Sequence, residues 1–258
     1  FPWRKSKTVF KVWISEIILQ QTQTSQGLSY YNTIINTFPT LKQLSEANEE
    51  QILKLWQGLG YYSRARNLHF TAKYIQNNLN GVFPNNYKNL IKLKGIGPYT
   101  AAAISSICFN EKRAAVDGNV YRILARVFNI DIAINSPKGI KIFQELANSL
   151  ISESNPGDYN QSMMDLGASI CTPKNPKCNQ CPLNSICLAH DNNTIDNLPV
   201  KIKKTKIEHR NFNYLCIEHN GNFLMKKRTR KDIWKNLYDF PLIEGDMIPK
   251  ENDINYKK

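Results

Sequence analysis

No stretch of this chain approaches the ~18 consecutive apolar residues that a membrane-spanning helix needs. Nor does a charged start lead into a short apolar run, as it does in a secretory signal. No membrane association or export signal is therefore expected, although the chain opens on Phe1-Pro2-Trp3 without a methionine, as a fragment would. Acidic residues are scarce: 21 Asp and Glu stand against 34 Lys and Arg, a net charge of +13 over 258 residues. That surplus favours polyanions, nucleic acid ahead of anionic membrane. The four histidines (69, 190, 209 and 219) are scattered and form no ligand set. No fixed-length repeat is visible, which excludes a solenoid. Hydrophobic residues at 41% and charged residues at 21% exclude wholesale disorder.

Residues 1–190 read as predominantly helical. Apolar positions recur at spacings of three and four over 9–23, 28–38, 49–56, 63–79 and 141–152, with shorter helical segments at 86–93 and 99–108. No period-2 strand precedes residue 200. A polar, basic stretch from 191 to 206 reads as a solvated linker. Beyond it Phe212–Glu218 is rich in β-formers, and Asn220-Gly221 before Phe223-Leu224-Met225 signals a type I′ hairpin. A mixed or β-rich domain thus begins near 207. About fifty residues of it are too few for an independent core, so it is expected to be truncated.

Four of the six cysteines fall close together as Cys171-x6-Cys178-x2-Cys181-x5-Cys187. Pro173, Pro176 and Pro182 forbid a long helix there, so the thiols can converge on one centre. Zn²⁺ or an iron–sulfur cluster accepts four cysteine ligands. Zinc ribbons usually carry two CxxC pairs and this stretch has one, which leans toward iron–sulfur. Lys174 and Lys177, between the first two ligands, are placed to meet a phosphate. Cys108 and Cys216 are expected to be small buried hydrophobes.

Between two helical segments lies Leu93-Lys94-Gly95-Ile96-Gly97-Pro98-Tyr99-Thr100-Ala101. Gly95 and Gly97 permit a tight turn and a close backbone approach. Pro98 suits a first helical position, leaving free N–H groups to face an anion. Arg64 and Arg66, beside Tyr61 and Tyr62, suggest a second DNA-facing patch, and His69 could approach DNA from the same run.

Two carboxylates have contrasting surroundings. Glu16 sits in Val12-Trp13-Ile14-Ser15-Glu16-Ile17-Ile18-Leu19, where Val12, Trp13 and Leu19 are its helical neighbours. Lost hydration disfavours its charged form, so it could act as a general acid near neutral pH. Asp117 directly precedes a new helical pattern, where free N–H groups and the helix dipole favour the anion. One carboxyl neutral and one ionised is the signature of an acid paired with a charge stabiliser.

Taken together, WISEIILQQTQT (13–24), GLGYYSRARNLH (58–69), LKGIGPYTAAAI (93–104), AVDGNVYRILAR (115–126), NQSMMDLGASIC (160–171) and the cysteine spacing resemble the helix–hairpin–helix DNA glycosylases, and among them the MutY family of adenine glycosylases. The resemblance runs from residue 1 to about 190 and continues more loosely through KKRTRKDIWKNLYDFP (226–241). It implies an all-α catalytic domain over 1–190: a six-helix barrel at 8–113, with 1–7 and 114–190 forming a helical [4Fe–4S] module on Cys171, Cys178, Cys181 and Cys187. A linker at 191–206 and the start of a truncated α/β Nudix-like domain at 207–258 would follow.

The implied substrate is duplex DNA holding adenine opposite 8-oxoguanine or guanine, cleaved at the N-glycosidic bond by a monomer. Glu16 would protonate the adenine and Asp117 would stabilise the sugar cation, with Tyr99 and Asn119 holding the site. Trp3, Arg4 and Gln161 would shape the adenine pocket. Gln21 and Tyr61 would wedge into the duplex, and Gly95 and Gly97 would grip its backbone. Relatives resembling endonuclease III carry Lys where this chain has Tyr99. A phenol cannot form a Schiff base, so base release without strong strand cleavage is expected. Two other readings compete: a related glycosylase for thymine mismatches or oxidised pyrimidines, and a DNA-binding relative without catalysis. The compartment would be the bacterial cytoplasm, with the nucleoid, or a eukaryotic nucleus or organelle.

Overall fold

A computed structural model describes residues 1–5, 7–202, 209–229 and 234–245. The helices are α1 (Pro2–Lys5), α2 (Val9–Leu19), α3 (Thr24–Thr37), α4 (Leu41–Glu46), α5 (Glu49–Leu55), α6 (Ser63–Asn78), α7 (Tyr87–Leu90), α8 (Pro98–Phe109), α9 (Gly118–Val127), α10 (Pro137–Leu150), α11 (Pro156–Ser169) and α12 (Leu188–Asp191). Short 3₁₀ turns at Cys178–Gln180, Asn184–Ile186 and Ile195–Asn197 lie around α12. Among the described residues no strand precedes residue 212, and no helix is long and apolar enough to cross a membrane.

Local chemistry sets most helix starts. Thr40 and Gln43 form a reciprocal capping box on α4, while Asn48, Asn86, Asp117 and Ser136 each cap the helix that follows. Proline occupies the first turn of α8, α10 and α11, where its missing N–H costs nothing. α8 is buried on every side from Thr100 to Ile107, the mark of a central helix, and it packs against α2, α7 and α11. Around it, Trp13, Ile14, Ile18, Leu44, Trp56, Leu68, Ile75, Leu90 and Ile104 form a core. A second cluster gathers Val120, Leu124, Phe143, Ala147, Ala189 and Leu198 about α9 and α10.

Three features depart from expectation. α2 stops at Leu19 rather than reaching residue 23, because Gln20 leaves the helix and Gln21 takes φ 58°. α11, which carries the 160–171 motif, has no long apolar stripe and escapes a periodicity reading, yet it packs on both α8 and α9. It also meets the start of the chain, through Arg4–Asp165 (3.0 Å) and Lys7–Asp158 (2.8 Å). Finally, as far as residue 202 the expected linker is docked rather than loose. Leu198 is buried, Ile134 N–H donates to the Val200 carbonyl (3.0 Å), and Asn135 exchanges two hydrogen bonds with Ile202. The rest of the linker, 203–206, lies outside the described residues.

The chain divides into two compact units, residues 1–59 with 64–203 and residues 60–63 with 204–258. In the second unit β1 (Phe212–Tyr214) pairs antiparallel with β6 (Leu242–Glu244), β2 (Glu218–His219) with β3 (Asn222–Phe223), and β4 (Lys226–Lys227) with β5 (Tyr238–Asp239). The expected hairpin forms at Asn220-Gly221, where φ values of 49° and 76° suit a type I′ turn. Of the 226–241 motif, residues 230–233 lie outside the described residues, as do 246–258. Cys216 is exposed, against expectation.

One buried side chain joins the core to the segment that leads into α9. Asn160 accepts from Ala115 N–H (3.0 Å) and donates to Ser106 Oγ (2.8 Å) and the Arg113 carbonyl (2.9 Å). Asn160→Ala should cost about 2–4 kcal/mol, since it strands buried polar partners. Urea denaturation measures this, and a loss under about 1 kcal/mol would refute the role.

Candidate active site and cluster-binding site

Glu16 lies on the face of α2 that packs against α8, flanked by the buried Val12, Trp13, Ile17 and Ile18. The residue is only 8% exposed. Burial pushes its carboxyl from the ordinary 4.5 up to about 7. The Tyr99 hydroxyl and the Arg4 guanidinium pull the other way, more weakly, and the Asp117 carboxylate adds a small upward push. Burial, together with the charges of Glu16 and Asp117, holds the Tyr99 phenol well above its ordinary range, so it stays an O–H donor. That hydroxyl also donates to Met164 Sδ (3.3 Å) on α11. Arg4, Glu16, Tyr99 and Asp117 therefore share one electrostatic neighbourhood.

Asp117 is the N-cap of α9. Its Oδ1 accepts from the backbone N–H groups of Asn119 and Val120, both at 2.9 Å, and its Oδ2 accepts from Asn119 Nδ2 at 2.8 Å. Three donors at a helix N-terminus suit an anion. Asn119 is fixed in turn, because Arg122 Nη2 donates to its Oδ1 (2.9 Å). The α9–α11 contact is tight at this point. A Cβ on Gly167 would stand 2.4 Å from Asn119 Cβ, so only glycine lets α11 approach.

On α11, Gln161, Met164 and Asp165 follow the i, i+3, i+4 spacing of one helix face. Met164 meets Tyr99 and Asp165 meets Arg4, and half-buried Gln161 lies one turn away on that face. Trp3 is buried, stacked on Phe1 (5.0 Å) and edge-on to Tyr31 (5.0 Å). Met164, Asp165, Gly167 and Arg122 were not among the residues singled out from sequence, although the first three lie within the motif that supplied Gln161.

The DNA-facing candidates are distributed differently. Gly95 takes φ 83°, and a Cβ there would strike Asn67 Cβ at 2.8 Å. Gly97 has ordinary extended backbone and open space around it, just before the α8 N-terminus. Gln21 (φ 58°) and Tyr61 (φ 47°) are both exposed and both left-handed, which is uncommon for residues with a side chain. Arg64 is not a DNA-facing residue: it is buried beneath Trp56 and bonded to the carbonyls at the end of α2. His69 is buried too, and desolvation lowers its pKa, so it does not approach DNA.

Cys171, Cys178, Cys181 and Cys187 line one cavity together with Ile123, Leu166 and Ile170. Burial, then the charges of the other three thiols, raises the Cys178 thiol, so all four are close enough to repel as thiolates. Four cysteine thiols around one cavity match the donor set of an iron–sulfur cluster. Arg126 supplies a buried guanidinium 3.4 Å from Cys171 Sγ, which also bonds the carbonyls of Thr172 and Pro173. Arg122 Nε donates to the Cys171 carbonyl (2.7 Å), so the guanidinium that holds Asn119 also holds the first cluster ligand. Lys174 and Lys177 are exposed on the intervening loop.

Comparison with known proteins places the chain in a family. The family model for the HhH-GPD superfamily of base excision DNA repair proteins matches residues 14–149, and that for the iron–sulfur binding domain of endonuclease III matches residues 171–187. An adenine DNA glycosylase of Buchnera aphidicola (from Schizaphis graminum) is 40% identical over 261 residues, covering all of this chain and 75% of the relative. The adenine DNA glycosylase of Homo sapiens is 41% identical over 197 residues, covering 73% of this chain and 36% of the human protein. Among solved structures, a thermostable thymine-DNA glycosylase superposes with a TM-score of 0.68 at 29% identity, covering 74% of this chain and 88% of that one. An endonuclease III bound to DNA has a TM-score of 0.63 at 20% identity, over 72% and 86% of the chains, which supports the fold.

The raised pKa of Glu16 has a consequence for stability. The folded protein holds its proton more tightly than the unfolded chain, so the favourable contribution is complete below about 4.5 and is lost as pH rises toward about 7. Glu16→Gln should therefore be more stable than the parent at pH 8, by about 2–3 kcal/mol, and equal to it near pH 4.5. Denaturation at both pH values checks this. A pH-independent difference would contradict a buried, protonated Glu16.

Proposed function

The chain belongs to the adenine DNA glycosylases of the HhH-GPD superfamily, and on that premise we propose that it hydrolyses the N-glycosidic bond of adenine mispaired with 8-oxoguanine or guanine in duplex DNA. The reading rests above all on the pairing of a buried, proton-holding Glu16 with an Asp117 carboxylate held by three N–H donors.

Adenine is a poor leaving group as an anion. A proton delivered from Glu16 to a ring nitrogen lets the base depart neutral as the bond to the sugar breaks. The sugar is left with positive charge, and the Asp117 carboxylate, already satisfied by its own donors and needing no reorganisation, answers it. Water then bonds to the sugar carbon that lost the base and gives its proton to the Glu16 carboxylate, which restores the acid. Tyr99 orients the Glu16 carboxyl, and Asn119 fixes Asp117. Trp3, Arg4 and Gln161 bound the space for the base. With Tyr99 in place of an amine, the enzyme is monofunctional.

A base inside the duplex is out of reach, and extruding it costs a few kcal/mol. Gln21 and Tyr61, exposed and held in strained backbone, serve as the wedge. Gly95 shapes the turn, and Gly97 leaves room for a phosphate at the α8 N-terminus. Cys171, Cys178, Cys181 and Cys187 would hold a [4Fe–4S] cluster, and the loop between the first two carries the exposed Lys174 and Lys177. Residues 207–258 belong to a Nudix-like domain, and the protein acts as a monomer.

The test is incubation with three duplexes, holding A opposite 8-oxoguanine, T opposite G, and an oxidised pyrimidine. Free adenine from the first alone is expected, with a single-turnover rate that falls as pH rises beyond about 7. Glu16→Gln should bind this duplex and release almost no adenine. Thymine release would favour the thymine-mismatch reading, and binding without any base release would favour a non-catalytic one.

A further inference from the structure

The turn that follows α2 is built around one buried cation. α2 ends at Leu19, and its last carbonyls have no partner within the helix. Arg64 is only 7% exposed, and it reaches these groups from the start of α6. Its Nη1 donates to the carbonyls of Ile17 (3.2 Å), Ile18 (2.7 Å) and Gln20, and to Thr22 Oγ1 (3.1 Å). Its Nη2 donates to the Leu59 carbonyl (3.3 Å), and Trp56 covers the guanidinium at 5.3 Å. Two further bonds tighten the same turn: Gln20 Nε2 to Thr100 Oγ1 (3.2 Å) and Thr22 N–H to the Leu19 carbonyl (3.2 Å). Between these fixed points Gln21 projects outward with φ 58°. A left-handed glutamine is held only where its surroundings over-determine it.

We propose that Arg64 is a positioning residue for strand opening: its guanidinium fixes the turn at 20–22 so that Gln21 is presented as a rigid wedge. The proposal rests on the glycosylase reading above, in which Gln21 wedges into the duplex. A side chain inserted between bases acts only if its backbone cannot recoil. The planar guanidinium supplies several donors in a fixed fork, which a lysine ammonium does not reproduce. The contribution belongs to opening of the duplex rather than to protonation of the base, so it should grow with the stability of the stack being parted.

The experiment measures single-turnover adenine release by the full chain, with its cluster, from duplexes holding A opposite G. The target is flanked either by A·T or by G·C pairs, at a temperature where circular dichroism shows each variant folded. Arg64→Lys should slow release less than about threefold with A·T flanks and more than about tenfold with G·C flanks, because the cost of extrusion follows the stack. Its pH profile should match that of the parent. Thr22→Val, which removes one of the guanidinium's acceptors from the partly exposed turn, should shift rates in the same flank-dependent sense by a smaller factor, and it carries the test if Arg64→Lys does not fold. Equal slowing at both flanks, in whichever variant folds, would overturn the proposal. Absence of adenine release by the parent from every duplex would overturn the glycosylase reading instead.

Discussion

The proposed active site depends on keeping one carboxyl group dry. Glu16 sits in the middle of a helix that is buried from Val12 to Ile18, where water cannot solvate an anion. The opposing influences of Tyr99 and Arg4 are smaller than the desolvation, so the group holds a proton near neutrality. A general acid is useful when its pKa lies near the working pH, and burial brings the carboxyl proposed for that role into this range. The same burial means that the site works against stability once the pH rises above that range. Such a trade is common where catalysis requires a group that the fold would otherwise exclude.

The second carboxylate is arranged in the opposite way. Asp117 is given donors instead of apolar neighbours, and the donors come from the first turn of α9 and from Asn119. Its position then depends on what holds Asn119. Gly167 lets α11 come close, and Arg122 ties Asn119 to the carbonyls of Gly167 and Cys171. The loop bearing the first cysteine of the set is thus one side chain away from Asn119, which holds the carboxylate proposed to face the sugar cation. The four-cysteine site and Asp117 therefore share a physical link through Arg122 and Asn119.

Much of this was legible in the residues. An acid within an apolar helical stripe, an aspartate at a helix start, a Gly-x-Gly turn before a proline and a cluster of four cysteines each carry local chemistry that needs no tertiary information. What escaped depended on packing between distant segments. α11 has few apolar residues and shows no stripe, because it is wedged between α8 and α9 and makes its contacts with Asn160, Met164 and Gly167. Arg64 reads as a surface cation until the open carbonyls at the end of α2 are seen beside it. His69 lies on the buried side of α6, a face that a short basic run disguises. The stretch 191–202 looks like a linker because it is polar, yet its backbone is tied down by Arg126 and Asn135.

The central claim concerns a proton, and it can be observed directly. In protein labelled with ¹³C at the glutamate carboxyl, the resonance that disappears in Glu16→Gln identifies Glu16, and its shift can be followed across pH. The account predicts a midpoint at about 7. A midpoint near the ordinary 4.5 would mean that Glu16 is ionised at neutral pH and cannot be the acid.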